Sequence, residues 1–131
     1  MNTPLLPAGW KRPRGYANGV AARGQQIHVA GMIGWDEHEV FHTDDFALQA
    51  RQAMSNVVEV LAVAGATPKH IVRMTWYVTS RDEYRDALPG IGAAFRELIG
   101  HYDIAMTAVQ VVALMEERAK VEIEVTAVIP D

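Results

Sequence analysis

Between Thr43 and Gly65, apolar side chains recur every three or four positions: Phe46, Ala50, Ala53, Met54, Val57, Leu61 and Ala64. That period winds a single apolar stripe along roughly five turns of helix. Thr43-Asp44-Asp45 supplies capping oxygens at its start and Gly65 a stop at its end. The pattern then changes. Ile71 to Val78 is rich in β-branched and aromatic residues, and Val72, Met74, Trp76 and Val78 alternate to one side, which predicts a strand with a buried face. A second helical stripe, Tyr84, Leu88, Ile91, Phe95 and Leu98, follows the capping residue Ser80, and Pro89-Gly90 inside it predicts a kink or a late helix start.

The two ends of the chain alternate at the shorter period of strands. Asn18 to Ala22 and Gln26 to Ala30 are β-prone runs on either side of Arg23-Gly24-Gln25, so a hairpin with a glycine turn is expected, its second strand stopping at Gly31. Thr107 to Leu114 and Ala119 to Ile129 are expected to pair across the charged turn Met115-Glu116-Glu117-Arg118. In the last strand Val121, Ile123, Val125 and Ala127 face one way, and Lys120, Glu122, Glu124 and Thr126 the other. The order is ββαβαββ. It defines an α+β fold with helices on one face of a mixed sheet. The opposite face would carry Glu122 and Glu124, with Thr107 or Gln110 and several large apolar groups. Such a face is too apolar for water and too polar for a monomer core, so a homo-oligomer is expected.

Composition narrows the functional classes. A chain of 131 residues, half of them apolar, suits one compact domain over residues 16–131. Residues 1–15, with three prolines, two glycines and three basic groups, form an extended arm. Twelve basic against 16 acidic residues give a net charge of -4. The only basic cluster, Lys11, Arg12 and Arg14, reads as a solvated arm, so nothing here points to nucleic acid. Cysteine is absent, which excludes disulfides, thiolate metal sites and a cysteine nucleophile. Among five histidines only His38 and His42 are four apart, and no third ligand accompanies them, so neither a metal nor any other cofactor is expected. Without a secretion signal or an apolar run of membrane-spanning length, a soluble cytoplasmic protein is the expectation.

Five segments, in order and at matching separations, resemble the RidA family, also called YjgF or reactive intermediate/imine deaminases. Gly15 to Val20 resembles the family's Pro-Tyr-Ser-x-Ala-Val, and Val29 to Ile33 its Ser-Gly-Gln-Ile strand end. Lys69 to Thr75 fits the acidic-Val-Val-Lys-x-Thr strand. Ala105-Met106-Thr107-Ala108-Val109-Gln110-Val111 and Lys120-Val121-Glu122-Ile123-Glu124 fit the Ala-Arg-Ser-x-Val-x-Val and Ile-Glu-Ile-Glu runs. The resemblance covers about Gly15 to Val128. It implies a trimer of chorismate-mutase-like ββαβαββ domains, sheets facing a central barrel, with active sites in the clefts between subunits and a small-molecule substrate.

In deaminating members of that family an arginine grips the substrate carboxylate through a bidentate pair, against a water oriented by a glutamate. The matching positions here are Met106 and Glu122. A thioether carries no charge and is a weak acceptor, so Met106 offers an apolar wall where the family has a fork of donors. Met32 stands for a glutamine, Leu88 for a common asparagine, Ile104 for a proline and Gly15 for another. The resemblance thus implies a cleft made more apolar by these changes. It makes Glu122 the water-holder, although a solvated or ion-paired strand residue explains it equally. Glu124 matches the non-catalytic glutamate. Tyr16 offers its hydroxyl to a ligand carbonyl or imine nitrogen, or is a half-buried aromatic with its oxygen in water. Gly31 and Met32 would line the cleft through their backbone, though glycine at a strand end is also plain turn chemistry. Trp35 either walls the pocket or covers a subunit seam, and Thr107 offers a hydroxyl or simply satisfies its own strand.

Two functions compete. One is hydrolysis or tautomerisation of an imine, enamine or related activated carbonyl compound, with Glu122 and Tyr16 holding water and Met106, Trp35 and Leu88 packing the substrate body. General 2-iminopropionate deamination is not expected. The alternative is a non-catalytic ligand-binding or chaperone-like trimer. Ribonuclease activity, ascribed to the wider family, gains little from an acidic chain without a basic stripe.

Overall fold

The computed structural model describes residues 2–131. Helix α1, Phe46–Val63, starts where Asp45 caps it, the carboxylate accepting the Leu48 N–H at 3.0 Å. It ends before Gly65, whose φ of +76° is a conformation glycine takes without a Cβ penalty. Phe46, Ala50, Ala53, Met54, Val57 and Leu61 are buried as the stripe predicts, while Ala64 falls past the last turn and is exposed. The second stripe is divided as Pro89-Gly90 foretells, into α2, Arg81–Asp86, and α3, Leu88–Leu98. Pro89 sits in the first turn of α3, where its missing N–H has no helical partner to lose. A Cβ on Gly90 would stand 2.9 Å from that of Ala47, so the glycine lets α3 lie close against α1.

Six strands complete the fold. Thr3–Leu5 (β1) pairs with Gly19–Ala21 (β2) in a small antiparallel ribbon. Gln25–Ile33 (β3), Ile71–Val78 (β4), Ala105–Gln110 (β5) and Val121–Ile129 (β6) form the main sheet in the order β3-β6-β4-β5. Only β4 and β5 run parallel, joined across α2 and α3, so the sheet is mixed and the fold α+β as expected. Trp76, Met54, Leu61, Ile71, Met74 and Ile123 are fully buried in the layer between helices and sheet. Burial of each such side chain contributes about 1.5–3 kcal/mol.

Two expected pairings do not form. The run 18–22 does not make a hairpin with 26–30: β2 pairs with β1, and β3 pairs with β6. Gly24 is needed for another reason, because at φ +143° a Cβ would run into the Ile129 carbonyl at the end of β6. The last two strands are not neighbours either, since β4 lies between β6 and β5. The burial pattern explains this. Val121, Ile123, Val125 and Ala127 are almost wholly buried, which suits a central strand paired on both sides, whereas 107–110 are exposed, which suits an edge.

Two bulges correct the face assignments. Ile71 pairs with Ala127 and Arg73 with Thr126, so Val72 is an extra residue, and Ile71 rather than Val72 shares the core side with Met74, Trp76 and Val78. Strand β3 does not stop at Gly31 but continues to Ile33, with an extra residue between Val29 and Met32. Among the described residues no helix is long and apolar enough to cross a membrane.

Candidate functional site

The sheet face turned away from the helices is built in three rows, read from the registers. His28, Thr126, Arg73 and Ala105 lie side by side in one. The next holds Glu124, Thr75 and Thr107, and the third Ile33, Glu122, Tyr77 and Val109, with Gly31 in the bulge of β3 against Glu122. A hollow of about 330 Å³ opens on this face, with His28, Arg73, Thr75, Glu124 and Thr126 on its walls. Arg73, Thr75, Tyr77 and His28 were not singled out from the sequence, yet the alternation of β4 and β3 already put them opposite the core residues.

Glu122 and Gly31 are the sequence-predicted pair that the fold brings into contact. A Cβ on Gly31 would collide with the Glu122 carboxylate, so the bulged glycine leaves the space in which that carboxylate rests. Glu122 is half-buried and makes no hydrogen bond or ion pair among the described residues. Glu124 instead accepts the Tyr77 hydroxyl at 3.1 Å. That bond, and the negative charge behind it, hold the phenol above its ordinary range. One glutamate is thus engaged and the other has no hydrogen-bond partner among the described residues.

The remaining predicted residues lie elsewhere. Met106 pairs with Met74 and packs against the edge of the core on the helix side, so it and Glu122 occupy opposite faces of the sheet. Met32 also packs against the core. Thr107 is on the open face and exposed, one strand beyond Thr75. Tyr16 is carried to the head of β5 by the parallel bridge between Ala17 and Ala105 and the 2.9 Å bond from Ala17 N–H to the Ile104 carbonyl. It is exposed there, beside Tyr102. Leu88 is exposed at the start of α3. Trp35 stands 5.8 Å from Phe41, ring to ring, and its carbonyl accepts the Asn56 amide at 2.7 Å, which ties the loop after β3 to α1.

That loop is organised by Asp36, unforeseen in the sequence. Its carboxylate accepts the His38 and Val40 N–H groups at 2.8 and 3.1 Å and meets the His42 ring at 2.6 Å. The His42 bond, ahead of the backbone donors, lowers its pKa to about 2. A second organiser is Gln49, buried on α1. Its amide donates to the Thr43 and Arg118 carbonyls at 3.1 and 3.0 Å and its oxygen accepts Lys120 N–H at 2.9 Å. It thereby fastens the segment between β5 and β6. Among the described residues no three His, Asp or Glu side chains gather as metal ligands.

A four-stranded mixed sheet, helices on one side and a bare polar face with paired glutamates on the other, defines the class. Residues 11–129 match the family model described as endoribonuclease L-PSP, and the chain belongs to that family, the Rid or YjgF proteins. Among solved structures it is similar to YyfB of Yersinia pestis, a protein of unknown function of the conserved Rid family. The identity is 28% and the TM-score 0.85, over 98% of each chain. Rv2704 of Mycobacterium tuberculosis, from the YjgF/YER057c/UK114 family, is 31% identical over 88% of each chain with a TM-score of 0.66. The E. coli protein TdcF, solved with bound serine, is 26% identical with a TM-score of 0.71, over 92% of this chain and 91% of its own. Curated protein sequences contain no match.

Proposed function

We propose that this protein hydrolyses or tautomerises an imine or enamine with an apolar body, in a cleft between subunits of a homotrimer. The observation that carries the reading is the free Glu122 carboxylate seated on Gly31, with Glu124 beside it already engaged by Tyr77. In hydrolysis Glu122 takes a proton from water as the oxygen adds to the imine carbon. Returned to the nitrogen, that proton completes a neutral carbinolamine; Glu122 then passes the hydroxyl proton to the nitrogen as the C–N bond breaks, leaving a carbonyl compound and an amine or ammonia. Tyr16 supplies a hydroxyl to the nitrogen or carbonyl oxygen.

The requirement for more than one copy follows from the faces. Glu122 is on the open side of the sheet, while Met106 packs on the helix side at an edge strand, so a site using both needs a second chain. Three such edges meeting three such faces form the proposed trimer. Met106, Leu88 and Trp35 give the cleft apolar walls and no carboxylate-gripping fork, so 2-iminopropionate is a poor substrate.

The test generates imino acids in situ with an amino-acid oxidase and follows their decay to keto acids. Imines from leucine or methionine should decay faster with the protein than those from alanine, and Glu122→Ala should abolish the gain. If no imine decays faster, or if Glu122→Ala is as active as the parent, the catalytic reading fails and a ligand-binding trimer takes its place. Robust pyruvate release from 2-aminoacrylate by the unmodified protein would refute the claim about Met106.

A further inference from the structure

We propose that the N-terminal arm and the loop before β5 form a second binding site, for an aromatic monocarboxylate, anchored by Arg12 and stacked on Tyr102, which adjoins the imine cleft at Tyr16. A hollow of about 300 Å³ lies there, and its walls include Leu5, Leu6, Arg12, Tyr16, Tyr102 and Asp103. That volume is at the lower end for small-molecule sites and suits one ring with a short acid side chain.

Its chemistry is specific. Leu5, Leu6, Tyr16 and Tyr102 are exposed, an apolar and aromatic surface in water. Tyr102 stacks on buried Phe95, centroids 5.6 Å apart and planes 11° from parallel, so one face of its ring is fixed while the residue remains exposed. Stacking on a rigid ring costs a ligand little ordering. Arg12 makes no ion pair or hydrogen bond among the described residues, which leaves its fork of donors available to a carboxylate. Trp10, Lys11 and Arg14 line a second hollow that shares Arg12 and Tyr16 with the first, so the local field favours an anion although the whole chain is acidic.

Asp103 selects among anions. It is among the residues that line the hollow with Arg12, and its negative charge there disfavours a ligand with a second one. A monocarboxylate therefore fits better than a phosphate dianion or an oligonucleotide. The arm is not a loose tether. Strand β1 pairs with β2, Asn2 donates to the Lys69 and Ile71 carbonyls at 3.3 Å, and Trp10 N–H closes a turn on Pro7 at 3.1 Å. The site therefore exists before the ligand arrives. This inference goes beyond the imine reading: the two share Tyr16, but the anchor is Arg12, and neither Glu122 nor a second subunit is used.

The experiment titrates the full-length protein with 3-phenylpropionate, its neutral amide and phenyl phosphate, following backbone amide shifts by NMR. The acid should bind about tenfold more tightly than the amide. Shifts should cluster at residues 4–6, 12–18 and 102–103. Arg12→Ala, at an exposed position, should remove the preference for the acid and leave amide binding in place. Asp103→Asn should raise affinity for phenyl phosphate about threefold. Equal binding of acid and amide, retention of the preference by Arg12→Ala, or shifts centred elsewhere would each overturn the proposal. Tighter binding of phenyl phosphate than of the acid in the parent protein would overturn it in favour of a phosphate site.

Discussion

Replacing Gln49 by leucine should unfold this protein more easily than its similar size suggests. The side chain is fully buried and makes three hydrogen bonds, to the Thr43 and Arg118 carbonyls and from Lys120 N–H. Leucine removes all three partners at once. Each backbone group left without a partner costs about 1–3 kcal/mol, at the low end where water can reach it, as at exposed Arg118. Leucine returns about 1–2 kcal/mol as apolar burial. The net loss is about 2–3 kcal/mol, which lowers Tm by roughly 10 °C for a chain of this length. Urea unfolding of parent and variant, at one fixed protein concentration because assembly adds to stability, measures the difference directly. Limited proteolysis supplies a second readout, since cleavage within residues 111–118 should accelerate once their anchor on α1 is gone. A change in stability below about 0.5 kcal/mol, within the usual range for surface substitutions, would refute the reasoning. So would a destabilised variant whose 111–118 segment is cut no faster.

Other substitutions separate fold from chemistry. Gly31→Ala pushes against the flexible end of Glu122, not against backbone, so stability should hold within about 1 kcal/mol while imine turnover falls about a hundredfold as the carboxylate is displaced; matched turnover at matched stability would count against Glu122 as water-holder. Gly24→Ala meets the Ile129 carbonyl at a φ of +143° and should cost more than about 2 kcal/mol in a urea melt. Asp36 is held near pKa 2, below its ordinary 3.8, by His42 and two backbone donors. Its contribution is present above about pH 3.8 and is lost as pH falls toward 2, so Asp36→Asn should flatten that acid limb of the stability curve, and an unchanged limb would dismiss the effect.

The helices were legible because their causes are local. Capping oxygens at Asp45 and Ser80, the stripe from Phe46 to Leu61 and the proline at position 89 act within a turn or two of chain. Five of the six strands were legible for the same reason, and so was the two-faced pattern of β6, whereas β1 was read only as part of an extended arm. Their partners were not. Gly24 and the charged turn at 115–118 both looked like hairpin chemistry, yet each strand found a mate far away in sequence. A glycine required at a close approach and a glycine required at a turn are the same letter. Nor did period-two alternation survive the bulges at Val72 and after Val29, which moved Ile71 to the core and Gly31 onto the face of Glu122.

For the site, the sequence named the family and the candidates: Glu122 beside Glu124, Met106 on the preceding strand, and five segments whose order and separations resemble the Rid proteins. Tertiary structure decided what those residues can do together. It set Glu122 against Gly31 with no partner of its own, tied Glu124 to Tyr77, and turned Met106 to the other side of the sheet. Alternation along a strand is a property of neighbouring residues and can be read from the chain. Which face meets which is fixed by pairing across tens of residues, where the competing arrangements differ only in the free energy of packing the whole.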